Sequence, residues 1–504
     1  MNLLTLLDMV AEGHGDRVAL GPLAGGVTGA QLRSQAYAGA SCVLASGAET
    51  VVFMGENGLA FPLALFAASA AGVAMLPLNY RLAPEQLVSA VGKLGPVLLI
   101  SDDATVAGLP NVTQSIGLSD WIKLCAELPA ADQPPVEPDT DAVAVILMTS
   151  GTTAAPKSAL LRHRNLAAYV LNSVDFSSSG ADEAMIVSVP PYHIAAVANL
   201  LSNLYSGRRV VYLERFSARD WLDTVVTEHV THAMLVPTML ARIVDELEAS
   251  DSVRPTTLRA LSYGGAKMSP SVLARALAVL PEVGFVNAYG LTETSSSIAV
   301  LGPEDHREAL ASTDPLVRAR LGSVGRPLPS VTIEIRADDG QPCSEGELGL
   351  IFVRGPQVAG EYAESGVLTD AQGWFATRDE GYLDSDGYLF VRGRADDTII
   401  RGGENIAPAE IEAVLEQHSA VAEVAVVGVA DEEWGQRIAA FVVLKPGLTA
   451  AAEELQTFVR ERLRSSKTPE EIYFLQELPH SPTGKILRRE LVTAAAIANS
   501  VPAS

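Results

Sequence analysis

Residues 143–158 run Val143-Ala144-Val145-Ile146-Leu147-Met148 and then Thr149-Ser150-Gly151-Thr152-Thr153-Ala154-Ala155-Pro156-Lys157-Ser158. A short apolar run cut off by a polar loop reads as a buried strand. The loop is a phosphate cradle in chemical type. Its hydroxyls and backbone N–H groups can donate to phosphate oxygens, and Lys157 supplies charge. The pattern comes near a Walker A loop, but Pro156 stands where the second glycine would be. Proline has no N–H to donate and fixes φ, which argues against a P-loop. Taken singly, the stretch is also what a polar turn after a strand looks like.

Similar apolar runs lie on either side. Those at 51–54, 97–100, 185–189, 209–213, 233–236 and 284–287 predict further buried strands, and 218–228 and 239–248 predict helices between them. Such alternation means parallel sheets covered on both faces. The Pro- and acid-rich stretch 128–141 predicts a surface loop. From 322 to 394 the texture changes. Short runs at 331–335, 349–353 and 388–391, separated by Gly and Asp turns, read as a small antiparallel β unit. Beyond 394 come helices at 409–417 and 452–463 and strands at 421–429 and 439–444, an α+β segment with its own boundary near 394–397.

The chain has 504 residues, 48% hydrophobic and 19% charged, enough for a large core in about three structural units. Its 36 Lys plus Arg against 60 Asp plus Glu give a net charge of −24. That surface repels nucleic acid and anionic membranes. Cys42, Cys125 and Cys343 lie far apart, so neither a disulfide framework nor a zinc module is indicated. The N-terminus has no basic region before its apolar residues, and a cytoplasmic location is expected. Residues 59–78 carry no charge and would just span a bilayer by length. A buried helix over 62–71 running into a strand at 73–77 accounts for them, so no integral membrane span is expected.

Five more segments carry chemistry. Tyr289-Gly290-Leu291-Thr292-Glu293-Thr294 follows the 284–287 run, at the strand end where open α/β sheets bind ligands. Tyr289 suits stacking on a flat ring, Thr292 suits donation to a phosphate, and Glu293 suits Mg²⁺. Ser262-Tyr263-Gly264-Gly265-Ala266 also follows an apolar run, and its glycines permit close backbone approach. Asp379, with Arg394 further on, has the chemistry to hold ribose hydroxyls. Arg401-Gly402-Gly403-Glu404-Asn405-Ile406 opens a helix, and Ser481-Pro482-Thr483-Gly484-Lys485-Ile486 lies near the C-terminus.

In order and spacing, these segments together resemble the adenylate-forming superfamily of acyl-CoA synthetases, luciferases and peptide-synthetase adenylation domains, from Asn79-Tyr80-Arg81 to Lys485. The resemblance implies an α/β fold with a large N-terminal domain (1–394) of two doubly wound αβ subdomains plus a β-barrel at about 322–394. A small mobile α+β C-terminal domain (397–504) would follow a hinge at 395–396. It implies that a carboxylate attacks the α-phosphate of MgATP, releasing pyrophosphate, and that a thiol then displaces AMP. Thr149, Ser150, Gly151, Thr152, Thr153 and Lys157 would cradle the β- and γ-phosphates. Gly264, Gly265, Ala266 and Tyr289 would hold adenine, and Asp379 and Arg394 the ribose. Thr292 would touch the α-phosphate, Glu293 would hold Mg²⁺, and Lys485 would bridge the attacking carboxylate and the α-phosphate. Asp396 matches the hinge position, with Gly402, Gly403 and Glu404 entering for the second step.

The 401–406 loop looks like the acyl-CoA synthetase version, which favours CoA as acceptor over a carrier protein. Walls for the acyl group would come from Tyr192, Val197, Met234, Gly290 and Ser295, and His193 would be a catalytic residue near the acyl-adenylate. The apolar Ile194, Ala195, Ala196 and Val197 favour a fatty, aromatic or alicyclic monocarboxylic acid. A malonate-type dicarboxylate would need Lys267 as charge partner. A homodimer is compatible with the sequence. The family usually has glycine at Ala154 and Ser158, and the glycine usual two residues before the aspartate is missing, Thr377 and Arg378 preceding Asp379. Little is expected to depend on the last. Rival readings are a P-loop ATPase and an inactive relative, but Lys485, Glu293, Asp379 and Arg394 are all kept. No GxSxG nucleophile elbow supports a hydrolase.

Overall fold

In the computed structural model, the charge-free stretch folds as a helix, Ala60–Ala70, and a strand, Ala74–Pro77, and every residue of the helix is buried. A helix with no polar face is stable only when covered all round. At 11 residues it is far shorter than a bilayer crossing, and among the described residues no helix is long and apolar enough to cross a membrane. The structure describes residues 1–103, 106, 108–149, 157–249, 254–401, 404–431, 434–463, 465–481 and 484–500.

The chain divides into two compact units. The larger comprises Met1–Gly265, Pro270–Ile333 and Val353–Phe375; the smaller comprises Ala266–Ser269, Glu334–Phe352 and Ala376–Ser504.

Two sheets build the larger unit. One runs Gly366–Val367, Glu361–Tyr362, Lys157–Arg162, Val143–Thr149, Ala74–Pro77, Thr50–Phe53, Val97–Ile100 and Val112–Ile116. From Val143–Thr149 onward its strands are parallel, and the strands before that are antiparallel. The other runs Arg326–Pro327, Ser296–Leu301, Gly284–Leu291, Ala260–Gly264, His232–Leu235, Ala184–Val187, Arg209–Tyr212, Val18–Leu20 and Val27–Thr28. Its inner strands, from Gly284–Leu291 to Val18–Leu20, are all parallel. The helices Ile194–Ser206, Ala218–Thr227, Pro237–Ala249 and Pro270–Val279 make the crossovers.

The order of this second sheet fixes where a ligand can enter. The chain goes from Ala184–Val187 to the neighbour on one side, Arg209–Tyr212. It then crosses back to the neighbour on the other side, His232–Leu235, and continues outward. Direction therefore reverses between Ala184–Val187 and His232–Leu235. The carboxyl ends of such a pair diverge and leave a crevice.

A four-stranded sheet orders Thr332–Arg336, Gly349–Arg354, Phe375–Leu383 and Leu389–Arg394, the last two antiparallel, in the stretch where a β-barrel is expected. In the smaller unit, Val421–Asp431, Gly435–Leu444 and Glu471–Leu475 form a three-stranded sheet. Its alternate residues feed two apolar clusters. Val424 and Val426 pack with Ile411, Leu415, Leu455 and Val459, whereas Ala425 and Val427 pack with Phe441, Leu491 and Ala495. A strand covered on both faces reads as a continuous apolar run, which is why 421–429 shows no alternation.

Candidate active site

In the larger unit, Val143–Thr149 and Lys157–Arg162 form an antiparallel hairpin whose last pair is Thr149 with Lys157. Thr149 and Lys157 thus bracket the phosphate-type loop at its two roots. Ser150, Gly151, Thr152 and Thr153 lie outside the described residues, as does Ala154. Ser158, at a position expected to be glycine, uses its side chain. Its N–H donates to Glu364 Oε2 at 2.9 Å and its hydroxyl to Glu364 Oε1 at 3.0 Å. Burial alone would raise the Glu364 carboxyl, but the Ser158 donors and Lys93 hold it below its ordinary value.

The strand expected over 284–287 extends through Leu291, so Tyr289 and Gly290 lie inside it rather than in a turn beyond it. The reason is a partner the sequence reading missed, the antiparallel strand Ser296–Leu301. A Cβ on Gly290 would come within 2.0 Å of the Ser296 carbonyl oxygen, so only glycine fits the reversal. Gly265 has φ +82, a left-handed conformation that glycine adopts without cost.

Thr292–Thr294 is one turn of 3-10 helix, and the next two residues, Ser295 and Ser296, have φ of +55 and +115. Left-handed conformations at non-glycine residues persist only where surroundings over-determine them. Here Gln357 is wholly buried and its Nε2 donates to the carbonyls of Thr294 (3.0 Å) and Ser297 (2.8 Å). The N–H groups of Ala359 and Gly360 donate to the carbonyl of Glu293 at 2.9 and 3.0 Å. The Glu293 carboxylate accepts from the Tyr362 hydroxyl, and the Lys157 Nζ lies 5.6 Å from the Tyr362 ring centroid. Nothing in the sequence of 357–362 signalled these contacts, which depend on pairing between strands distant in the chain.

Tyr192 and His193 follow the strand Ala184–Val187, Met234 lies on the neighbouring strand His232–Leu235, and the buried Val197 lies on the helix Ile194–Ser206. His193 packs against Tyr192 at 4.9 Å between centroids, and Tyr192 against Tyr80 at 5.5 Å. The His193 Nε2 is buried without a hydrogen-bond partner among the described residues. Burial pushes its imidazole down to about 4, so the ring is neutral at physiological pH. The Ser295 hydroxyl is likewise buried and unpartnered among the described residues.

The smaller unit brings together residues far apart in sequence. Asp379 and Arg394 are paired across neighbouring strands, with an ion pair at 3.4 Å, and Arg394 also donates to the Thr377 carbonyl at 3.0 Å. Arg378 has φ +64, and its guanidinium lies 3.7 Å from the Asp396 carboxylate. Asp396 sits in a 3-10 turn, Ala395–Asp397. Lys485 is exposed by surface area, yet its ammonium is held below the ordinary lysine range. Desolvation is the larger cause and Arg394 the next, opposed by Asp397 and Asp379. Arg488 pairs with Glu412 at 2.6 Å and Asp397 at 3.5 Å beside them. Gly402 and Gly403 lie outside the described residues; Glu404 pairs with Arg401 across the hairpin Ile399–Arg401/Glu404–Ile406. Lys267, expected as a candidate charge partner, instead donates to the Ala409 carbonyl at 3.5 Å.

Comparison with known proteins places the chain. The sequence model of the AMP-binding enzyme family matches residues 7–363, and that of the AMP-binding enzyme C-terminal domain matches 410–485. The chain belongs to the AMP-binding enzyme family, the class of AMP-forming acid–thiol ligases. It is 33% identical to a fatty acid–[acyl-carrier-protein] ligase, ScoC, of Streptomyces coeruleorubidus, over 88% of this chain and 86% of that one. It is also 33% identical to indoleacetate–CoA ligase of Aromatoleum aromaticum, over 90% of each. Its fold matches o-succinylbenzoate CoA synthetase (MenE) of Bacillus subtilis in complex with an acyl-adenylate. That TM-score is 0.83 at 30% identity, covering 96% of this chain and 97% of that one. The same enzyme has been solved with ATP and magnesium ion.

Proposed function

We propose that the protein is an acyl-CoA synthetase for an apolar monocarboxylic acid, fatty, aromatic or alicyclic. The observation that carries this reading is the setting of Lys485, whose ammonium has Arg394, Asp397 and Asp379 as electrostatic neighbours. In the first step a carboxylate oxygen attacks the α-phosphorus of MgATP. The P–O bond to the bridging oxygen breaks, and pyrophosphate leaves. Two anions must approach, and an ammonium between them removes the repulsion as charge develops. Asp379 and Arg394 take the ribose. Gly264, Gly265, Ala266 and Tyr289 take adenine, Thr292 the α-phosphate, and Thr149 to Lys157 the outer phosphates.

Glu293 suits the magnesium that arrives with the nucleotide. Among the described residues no three His, Cys, Asp or Glu side chains gather as a metal site. Magnesium bound by one carboxylate, with phosphate and water completing its shell, needs no such cluster. In the second step the CoA sulfur attacks the acyl carbonyl and AMP leaves. For this step residues 397–504 would turn about 395–396, withdrawing Lys485 and bringing in Gly402 to Glu404.

An uncharged acyl tail suits the residues proposed to receive it. His193 is neutral, Val197 is small and buried, and Lys267 is engaged with Ala409. A second reading, loading of a carrier protein, draws support from the likeness to ScoC. The test is pyrophosphate release with MgATP across a panel of fatty acids, benzoates, alicyclic acids and malonate, with and without CoA. Acid-dependent release, with AMP and thioester turnover that require CoA, is the expected result. Release stalling at one equivalent, relieved only by a phosphopantetheinyl carrier protein, would favour the second reading. Release of ADP and phosphate without any acid would overturn both.

A further inference from the structure

The mechanism above leaves Tyr362 unused, although it touches two of its charged groups. Tyr362 is 9% exposed and lies on the short strand Glu361–Tyr362, which pairs through Tyr362 with Ala159 on the strand that begins at Lys157. This pairing sets the ring 5.6 Å from the Lys157 ammonium, within reach of a cation–π attraction. The same side chain donates its hydroxyl proton to Oε1 of Glu293. Three residues earlier the same segment begins to grip Glu293 from behind, through Ala359 N–H and Gly360 N–H to its carbonyl. Glu293 is thus fixed at both its backbone and its carboxylate by one stretch of chain.

We propose that Tyr362 is a positioning residue for magnesium and phosphate binding. It commits one oxygen of Glu293 to the phenol, leaves the other for the magnesium of MgATP, and steadies Lys157 through its ring. The proposal rests on the reading of Glu293 as the magnesium ligand. A glutamate with two free oxygens rotates and can turn either one, or both, to a cation. A phenol already bonded to one oxygen removes those alternatives before the nucleotide arrives, so ordering is not part of the binding cost.

The experiment uses the full chain without any acid substrate, so that no turnover occurs. Manganese binding in the presence of ATP is read by electron paramagnetic resonance, and ATP binding at graded magnesium by calorimetry. Tyr362→Phe is expected to weaken manganese binding roughly tenfold, the scale of a hydrogen bond to a charged group, while leaving metal-free ATP binding close to wild type. Tyr362→Ala is expected to weaken metal-free ATP binding as well, by about threefold, because the ring under Lys157 is lost. Glu293→Gln serves as the separate check on the underlying reading. If Glu293→Gln leaves manganese binding unchanged, Glu293 is not the ligand and the reading fails. If Glu293→Gln weakens it and Tyr362→Phe does not, the proposal alone fails. Tighter manganese binding in Tyr362→Phe would also overturn it, by showing that the phenol competes with the metal. A far-ultraviolet dichroism spectrum and a melting curve for each variant establish that the comparison is between folded proteins.

Discussion

Desolvation and the nearby Arg394 make the Lys485 ammonium give up its proton more readily than a free lysine. Two consequences belong to this residue. Lys485→Ala should lower acid-dependent pyrophosphate release by about 10² to 10³-fold, while calorimetry finds ATP bound nearly as before. The alkaline limb of the adenylation rate should also lie below the range of an ordinary lysine, because the depressed group loses its charge earlier as pH rises. Arg378 presents a different case. It holds φ +64 with a Cβ, and its ion pair with Asp396 is largely exposed at 3.7 Å, a kind worth little. Arg378→Gly removes the backbone strain and should raise stability by roughly 1 kcal/mol, seen as a higher melting temperature. A lower one would show that the side chain contributes more than the strain costs.

Among elements, the turn after Gly284–Leu291 depends most on help from elsewhere. Its two left-handed serines are flanked by carbonyls that Gln357 bonds, so Gln357→Ala removes a donor from both the Thr294 and the Ser297 carbonyl. The expected cost is about 1–3 kcal/mol in denaturant unfolding, with a weaker response of activity to magnesium because Glu293 lies in the same turn. The Ala395–Asp397 turn is the proposed hinge. Asp396→Pro should stiffen it, sparing single-turnover adenylation and slowing thioester formation; equal loss of both halves would sink the hinge. Elements were legible in sequence where burial alone sets the pattern. The runs at 97–100, 143–148 and 209–213 return as Val97–Ile100, Val143–Thr149 and Arg209–Tyr212. They were illegible where a partner decides. Tyr289 looks like a turn residue until Ser296–Leu301 pairs beside it. Gln357 and Tyr362 carry no signal in the sequence, because their partners, the Thr294 carbonyl and the Glu293 carboxylate, lie in a distant stretch of chain. The same holds for the site. Resemblance proposes Lys485, Asp379 and Arg394, but the contact that places Tyr362 between Lys157 and Glu293 exists only in the folded pairing.

At the scale of the whole molecule, buried and half-buried histidines contribute to the response to acid. Burial pushes His163, His193 and His232 each down to about 4 from an ordinary value of 6.5. A folded value below the unfolded one means that the unfolded chain takes up more protons in between. The stability these groups permit is therefore complete above pH 6.5 and is lost as pH falls from there toward 4. Denaturant midpoints measured between pH 7 and pH 5 should fall, and His163→Gln, which removes one titrating group, should make the fall shallower. A midpoint flat over that range would mean the rings stay solvated.

Arginine and glycine codons can differ by a single base. The strain at Arg378 is thus never more than one substitution away from relief, and a population under selection for heat tolerance alone should acquire glycine there. A lineage that keeps arginine instead would be under a second demand, and comparing survivors selected for heat with survivors selected for growth on the substrate acid would separate the two.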